Sequence, residues 1–369
     1  MSEEAPEEIE TPVSAPVAAP PKQFPCGQCG AKVEFQPGAG TLKCPYCGHE
    51  NAIPQTEADI HELDFTAFLN SESEKADSQE ALTIRCGQCA AETTLPPNIT
   101  SARCPYCGAT VVAEGASKRS IKPKALLPFK VTQPQAWESF RRWIKGLWFA
   151  PNDLKQYARA ENKLAGLYVP FWTYDSDTTS FYRGERGDDY WVTVGSGKNR
   201  RRVRRTRWSS ASGTVWPDYD HELVLASRSL PRAYADKLEP WDLGNLAPYQ
   251  DEYLSGFRAE RYSIDLAEGF GIAKEIMYEK ICEKIRHDIG GDHQRIHAVK
   301  TRYDAITFKH LLLPVWMTAY NYHHKLYRIL INARTGEVQG ERPYSWIKIA
   351  LAVLAGPAVV GAIVALLSQ

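Results

Sequence analysis

Hydrophobic and polar positions divide the chain into segments with different periods. From Ala125 to Gly340, aromatic-rich alternating patterns typical of β-strands are interrupted by two or three helical patterns. This mixture predicts an α+β domain with an antiparallel sheet. Three similar motifs each open a predicted strand: Leu127-Pro128-Phe129, Val169-Pro170-Phe171-Trp172 and Leu313-Pro314-Val315-Trp316.

Two helical stripes stand out within this domain. The first follows Thr132 and Pro134, which mark a helix start, and consists of Trp137, Phe140, Ile144 and Leu147. The second predicts a helix from Ala273 to Ile289 that ends at Gly290-Gly291. Its apolar side carries Ile276, Ile281, Ile285 and Ile289.

A different pattern occupies the end of the chain. Ile349 to Leu367 is a run of nineteen residues without a charge, and as a helix it would nearly match the roughly 30 Å hydrocarbon core of a bilayer. Arg342 and Lys348 precede it, with Tyr344 and Trp346 at interface depth. We therefore predict a single-pass transmembrane helix that places the bulk of the chain in the cytoplasm. The alternative is a buried helix of a soluble core.

The beginning of the chain has no apolar pattern. Residues 1–21 are acidic and rich in proline and alanine, which favours a disordered tail over a secretion signal. Lys plus Arg equals Asp plus Glu, so the net charge of zero excludes no class of partner. A reducing cytosolic setting is then expected for the nine cysteines.

Eight of these cysteines form a repeat with a shift of 60 residues. In each copy two Cys-x-x-Cys pairs are separated by fourteen residues, and Cys-Gly-Gln-Cys and Cys-Pro-Tyr-Cys-Gly recur. The predicted ligands are Cys26, Cys29, Cys44 and Cys47 in the first copy, and Cys86, Cys89, Cys104 and Cys107 in the second.

This spacing predicts two small tandem zinc ribbons. Two Cys-x-x-Cys turns present four thiolates tetrahedrally to one ion, and four protein ligands leave no open position, so both Zn²⁺ ions would be structural. A module of this size needs the metal to fold. Redox-active dithiols and an iron-sulfur cluster are the alternatives. His49 is interpreted as a solvent-facing loop residue, and Cys282 as a buried, unreactive thiol.

The strongest local charge is a basic strip in the α+β domain. It follows a turn at Gly195 to Asn199 and resembles the return strand of an exposed hairpin flanked by Trp191 and Trp208. It could bind nucleic-acid phosphates, anionic lipid headgroups or an acidic partner, or it could be a solvated edge strand kept charged against aggregation. Its cations are Lys198, Arg200, Arg201, Arg202, Arg204, Arg205 and Arg207.

The sequence contains no ATPase motif of the kind that a helicase with zinc ribbons and a basic strip would need. Gly195-Ser196-Gly197-Lys198 resembles a phosphate loop, but Val192 stands where the first glycine is required and Asn199 replaces the Mg²⁺-binding hydroxyl. We therefore predict that the protein is not an enzyme and has no small-molecule substrate. An enzyme with an unrecognised site in the α+β domain stays as an alternative.

The paired ribbons, the proline motifs above, Thr206-Arg207-Trp208 and the segment Gly340 to Ser345 together resemble a known family. The chain is similar to bacterial TFIIB-type zinc-ribbon membrane proteins, often labelled primosomal protein N-prime (helicase)-like. The resemblance covers nearly all of the chain after the acidic tail. It implies a membrane adaptor with protein partners, among them phage-shock protein A and SPFH-type proteins of envelope stress.

The sequence thus predicts a zinc-ribbon scaffold, anchored by its tail, that recruits proteins to the cytoplasmic face of the inner membrane. The alternative is a membrane-tethered nucleic-acid-binding protein without a helicase motor. The predicted segments are the tail 1–21, ribbon 1 at 22–54, a linker with a short helix at 55–82, ribbon 2 at 83–114, the α+β domain at 115–343 and the anchor at 344–369.

Overall fold

A computed structural model gives the fold. The described residues are 24–54, 60–70, 78–85, 92–94, 101–103, 110–112, 116–151, 153–154, 164–323, 325–351 and 353. Predicted features that fall on other residues, including the acidic tail and the four cysteines of ribbon 2, lie outside the described residues.

Two very long strands form the centre of the domain. They are β11 (Ala165–Val194) and β16 (His293–Tyr322), and they run antiparallel from Ala165↔Met317 to Gly187↔His293. The half of this pair near Val169↔Leu313 is buried on both faces, which explains its continuous apolar sequence. The prediction of an antiparallel sheet is confirmed.

Shorter strands complete a ten-stranded sheet among the described residues. Strand β12 (Arg201–Val215) pairs with β11 at one edge, and β13 (Asp218–Leu225) pairs with the base of β11. On the other side, β17 (Lys325–Asn332) pairs with β16, and the turn at Asn332 to Gly336 leads into β18 (Val338–Gly340). The remaining members are β4 (Leu63–Asp64), β10 (Ala125–Leu126), β14 (Ala247–Pro248) and β15 (Arg258–Ala259).

The proline motifs do not all open strands. Pro314 lies well inside β16, and Pro170 follows the first residues of β11. Each proline instead stands where a second neighbouring strand begins, because pairing with β13 starts at Phe171 and pairing with β17 starts at Val315. The missing amide therefore falls just outside the new ladder, which is why proline is tolerated there.

Helices cover the sheet. Helix α2 (Gln133–Gly146) starts after Thr132, whose backbone N–H donates to Gln135 Oε1, and it buries Ala136, Phe140 and Ile144. A single-turn helix, α3 (Arg232–Ala235), follows β13. Helix α4 (Leu266–Ile289) ends at Gly290, whose φ of 65° favours glycine.

The second predicted helix begins earlier than expected. Asp265 caps α4 by accepting a hydrogen bond from the Glu268 N–H. The helix therefore begins at Leu266, before the predicted start at Ala273. Its buried side runs through Phe270, Met277 and Ile281, with Ile276 only partly buried beside it. Two glycines in that first stretch, Gly269 and Gly271, hide the helical pattern in the sequence.

Ribbon 1 is part of the main core. Its strands are β1 (Glu34–Gln36), β2 (Thr41–Lys43) and β3 (Glu50–Asn51). Phe35 packs 5.4 Å from Tyr253 between ring centroids, and its backbone N–H donates to Ser255 O at 2.9 Å. Val33, Leu42 and Cys44 therefore belong to the same buried cluster as Phe129 and Trp316.

The segment after ribbon 1 also docks on the sheet. Strand β4 pairs with β16 at Phe308↔Leu63, and helix α1 (Phe65–Asn70) follows directly. Phe65 and Phe68 contact the Phe308 ring at centroid distances of 6.5 and 5.2 Å. Helix α1 lies in the linker for which the sequence predicts a short helix.

The C-terminal segment is described only at its start. Residues 346–351 are helical, with a first hydrogen bond from Ile349 N to Ser345 O at 3.1 Å. Most of the predicted anchor lies outside the described residues. Among the helices of the described part, none is long and apolar enough to cross a membrane.

Candidate metal centre

Two short turns bring four cysteines together in ribbon 1. Cys26 and Cys29 lie in a turn closed by a bridge between Pro25 and Lys32, and Cys44 and Cys47 lie in the turn between β2 and β3. Each turn ends in a glycine in the left-handed region: Gly30 with φ 72° and Gly48 with φ 75°. Their N–H groups return to Cys26 O and Cys44 O, so both turns have the same backbone geometry.

The four sulfur atoms fit a single metal ion. Cys26 Sγ lies 3.6 Å from Cys47 Sγ, Cys29 Sγ lies 3.5 Å from Cys44 Sγ, and all four lie within 4.8 Å of one another. A tetrahedral zinc with Zn–S bonds of about 2.3 Å requires sulfur separations of about 3.8 Å. The predicted cysteine set of ribbon 1 therefore forms a cluster that could hold one metal ion.

The electrostatics of the cluster favour a bound cation. Burial opposes ionisation of Cys26, but backbone N–H groups of Cys29 and Gln28 lower its pKa to about 6. The Cys47 N–H lowers the pKa of Cys44 in the same way. The His49 N–H lowers the pKa of Cys47, but burial and the three neighbouring sulfurs outweigh it and raise that pKa to about 12. A divalent ion would remove this repulsion, so binding would release protons.

Asn51 supports the cluster and was missed by the sequence analysis. Its Oδ1 accepts from the Gly27 N–H at 2.9 Å, and its Nδ2 lies 4.0 Å from Cys26 Sγ and 3.5 Å from Leu42 O. Asn51 thus connects the first cysteine turn to the second. The only signal in the sequence for this role is the position of Asn51 just after the second cysteine turn.

The other two sequence interpretations agree with the structure. His49 is exposed, and its ring is not part of the cysteine cluster. Cys282 is buried on helix α4, as expected for an unreactive thiol.

The described strands around ribbon 2 repeat part of the pairing of ribbon 1. The described strands there are β5 (Ser78–Arg85), β6 (Glu92–Thr94), β7 (Ser101–Arg103), β8 (Thr110–Val112) and β9 (Ala116–Ile121). Pairings at the same 60-residue shift recur: Pro25↔Lys32 with Arg85↔Glu92, Lys43↔Glu50 with Arg103↔Thr110, and Leu42↔Asn51 with Ala102↔Val111. The strands that flank both cysteine turns therefore keep one register in the two copies.

A second group with metal-ligand atoms is occupied by a lysine. Glu62, Asp220 and His221 approach one another, but Lys309 Nζ lies 2.7 Å from Glu62 Oε1 and 2.9 Å from His221 Nε2. Burial raises the pKa of Glu62, but hydrogen bonds from Lys309 and Thr307 outweigh it and lower that pKa to about 2. The buried Lys309 ammonium already provides the positive charge in this group. Its ion pair with Glu62, the residue before β4, therefore holds β4 against the sheet.

The basic strip forms one strand of a projecting hairpin. Beyond Gly187↔His293, β11 pairs only with β12 among the described strands, from Asp188↔Arg207 to Val194↔Arg201. Residues 188–207, here called the arginine hairpin, thus extend about 20 Å past the sheet at roughly 3.3 Å per residue. The predicted return strand is found, and its six arginines are exposed. The side chain of Lys198 lies outside the described residues.

Both faces of the arginine hairpin carry cations and aromatic rings. Arg202 Cζ lies 5.5 Å from the Trp191 ring centroid on one face, and Arg207 Cζ lies 5.2 Å from the Tyr190 centroid on the other. Arg204 Nε reaches Asp189 Oδ2 at 3.3 Å. Asp188 and Asp189 are the carboxylates of the hairpin, against seven cations, so it is strongly positive.

Comparison with known proteins gives similarity without a function. The chain is 27% identical over 340 residues to a protein of Bacillus subtilis (strain 168) that is described as uncharacterized protein YdjG. The match covers 89% of this chain and 92% of that protein. No family model matches the chain, and no solved structure matches it.

Proposed function

We propose that the protein is a zinc-ribbon scaffold that recruits protein partners to the cytoplasmic face of the inner membrane. The observation that carries this proposal is the cysteine cluster of ribbon 1. Four protein sulfurs fill a tetrahedral shell and leave no position for a substrate, as in structural zinc sites. Tyr46, within the second cysteine turn, is 82% exposed and is available to a partner.

The proposal includes two zinc ions for each chain. The shared register of the flanking strands supports a second site at Cys86, Cys89, Cys104 and Cys107. Alanine and valine at positions 90 and 111 replace Gly30 and Asn51, so we expect ribbon 2 to bind zinc more weakly. Metal analysis should give two zinc ions per chain, and a graded chelator series should remove them in two steps. One zinc ion in a fully folded chain would contradict the second site.

The membrane anchor rests on the uncharged run from Ile349 to Leu367, whose first turn is helical. The chain expressed in bacteria should stay in the membrane pellet after carbonate washing. A chain ending at Arg342 should be released, and it serves as the control because it retains the strands of the sheet. Release of the full chain by carbonate would contradict the anchor.

Recruitment can be tested with purified components. Vesicles that carry the full chain should pull phage-shock protein A or an SPFH-type protein into the pellet, and Tyr46→Ala should weaken this at least fivefold. Tyr278→Ala is a matched control, since it removes another exposed tyrosine ring, on helix α4 and outside ribbon 1. A partner that stays in the supernatant with wild-type vesicles would refute that partner.

A second candidate function is favoured by the shape of the arginine hairpin. The DNA major groove admits a two-stranded β-ribbon, and arginine with exposed aromatic rings also suits single strands. Binding should weaken steeply with salt, by about 0.9 logarithmic units per contacted phosphate for each decade of salt. A triple variant at Arg201, Arg202 and Arg204 should lower that slope. If DNA and RNA both fail to bind at low salt, this function is excluded.

A further inference from the structure

Exposed apolar side chains lie on two segments that are hydrogen-bonded to each other, the turn after α2 and the start of the C-terminal helical segment. Trp148 and Phe149, in the turn after α2, are 77% and 41% exposed. Trp346 and Ile347, at the start of the C-terminal helical segment, are 85% and 75% exposed. These four residues are here called the aromatic patch. Single exposed apolar residues are ordinary, but a group of large ones marks an interaction surface.

Two hydrogen bonds hold the halves of the aromatic patch together. The Ser345 backbone N–H donates to Phe149 O at 2.7 Å, and Lys348 Nζ donates to Ala150 O at 2.8 Å. The start of the C-terminal helical segment is therefore fixed against the turn after α2. Residues almost two hundred positions apart in the sequence thus lie side by side on the surface.

Cations lie next to the aromatic patch in the sequence, on α2 and on the C-terminal side. Arg141, Arg142 and Lys145 are exposed on the last turns of α2, and Arg342 and Lys348 flank the C-terminal side. Glu138 is the exposed carboxylate on the same helix, one turn earlier. The surface therefore combines exposed tryptophans with an excess of positive charge.

We propose that the aromatic patch inserts into the headgroup layer of an anionic bilayer, so that the domain lies against the membrane. This inference rests on the proposed anchor and extends it, because Trp148 belongs to the folded domain. Tryptophan flanked by lysine and arginine is typical of the membrane interface, and such side chains enter it by about 5–10 Å. The uncharged run begins at Ile349, so the aromatic patch lies at the level where the chain enters the membrane.

The occupant is lipid because the patch is continuous with the membrane-entering segment. Anionic headgroups would pair with the cations of α2, because basic residues close to a negatively charged bilayer surface are attracted to it. A protein partner on the same surface would have to fit between the domain and the bilayer. The geometry therefore points to direct contact of Trp148 with phospholipid.

Photocrosslinking in the full chain tests this contact. A benzophenone amino acid replaces Trp148 in one protein and Trp216 in a matched control, since Trp216 is also exposed, at 68%, but lies in the turn between β12 and β13. Each protein is reconstituted into vesicles of phosphatidylglycerol and phosphatidylcholine and irradiated, and lipid adducts are counted by mass spectrometry. We expect at least tenfold more lipid adduct at position 148 than at 216.

The two proposals fail in different ways. If carbonate leaves the chain in the vesicles but position 148 gives no more adduct than 216, the patch does not touch lipid and this inference is overturned alone. If carbonate extracts the chain, the anchor and this inference both fall. As a second variant, serine at Arg141, Arg142 and Lys145 should reduce the adduct at 148 severalfold, and an unchanged yield would refute the role of these cations.

Discussion

Ribbon 1 and the arginine hairpin are both small antiparallel units, but they are held in different ways. Ribbon 1 sends Val33, Phe35 and Leu42 into the common core and has a cysteine cluster fit for a metal ion. The arginine hairpin continues the central strand β11 and the edge strand β12 into solvent and is held by its backbone ladder. Removal of side chains should therefore disturb the fold at ribbon 1, whereas at the arginine hairpin it should disturb only binding.

The largest effect should follow loss of a ribbon 1 sulfur. Cys44→Ser should remove one zinc ion and destabilise the whole sheet domain, because Cys44 lies in the shared core and structural zinc contributes about 10 kcal/mol or more in small modules. Metal analysis with thermal unfolding measures both changes. Cys104→Ser should leave the ribbon 1 ion bound, and Cys282→Ser, at a buried thiol outside the cluster, is the control for cysteine loss. A fully stable Cys44→Ser protein would mean that the ribbon 1 metal site does not stabilise the sheet domain.

The next effect concerns the apolar contact between ribbon 1 and the sheet domain. Phe35→Ala should cost about 3–5 kcal/mol, since it empties a site packed against Tyr253 and Phe257. Tyr46→Ala, at an exposed ring of the same ribbon, should change stability by less than about 0.5 kcal/mol. Urea unfolding of both variants gives the difference. Equal costs would mean that ribbon 1 does not share the core.

A smaller effect should come from pH at a buried histidine of the core. Burial lowers the pKa of His310 to about 4, against the weaker opposing effect of the Ile121 carbonyl. Between pH 6.5 and 4 the unfolded chain binds a proton that the native protein does not. Stability is therefore lost as pH falls through this window, by roughly 3 kcal/mol in total. Arginines of the hairpin stay charged throughout, so polyanion binding should not follow this titration.

Unfolding of wild type and His310→Gln at pH 7.5, 6 and 5 checks this expectation. Acid also protonates thiolates and releases zinc, so the difference between the two proteins isolates the imidazole. The variant should have the flatter pH profile. Identical profiles would show that His310 does not carry the loss.

The smallest effect on stability should come from the arginine hairpin. Serine at Arg201, Arg202 and Arg204 should change the free energy of unfolding by less than about 0.5 kcal/mol per site, because exposed ion pairs such as Arg204 with Asp189 contribute little. Thermal unfolding measures this, and the same protein enters the nucleic-acid titration. Serine at Arg183, which pairs with Ser212 at the base of the hairpin, is a positional control. A large loss of stability would mean that the hairpin is structural.

The sequence predicted the parts of the fold whose signals are local. The start of α2 at Thr132 and the end of α4 at Gly290 depend on residues within one turn of the chain. The Cys-x-x-Cys pairs of ribbon 1 are equally local, and their convergence follows from the needs of one ion. The start of α4 was placed too late because Gly269 and Gly271 interrupt the pattern, although tertiary packing stabilises the helix there.

Other features depend on partners distant in the sequence. Asn51 matters because it reaches Gly27 and Cys26, and no motif marks it. The extra length of β11 and β16 was not visible either, because both strands contain prolines that locally suggest boundaries. The aromatic patch exists only because Ser345 and Lys348 bond to the turn after α2.

The sequence alone determined the cysteine pairs, the arginine strip, the uncharged C-terminal run and the alternating patterns of the sheet. These are matters of composition and short-range spacing. The tertiary structure decided that ribbon 1 lies in the core, that the arginines stand on a projecting hairpin and that Trp148 lies beside Trp346. These features depend on which surfaces are buried against each other. The free energy of that burial comes from contacts between residues that are far apart in the sequence.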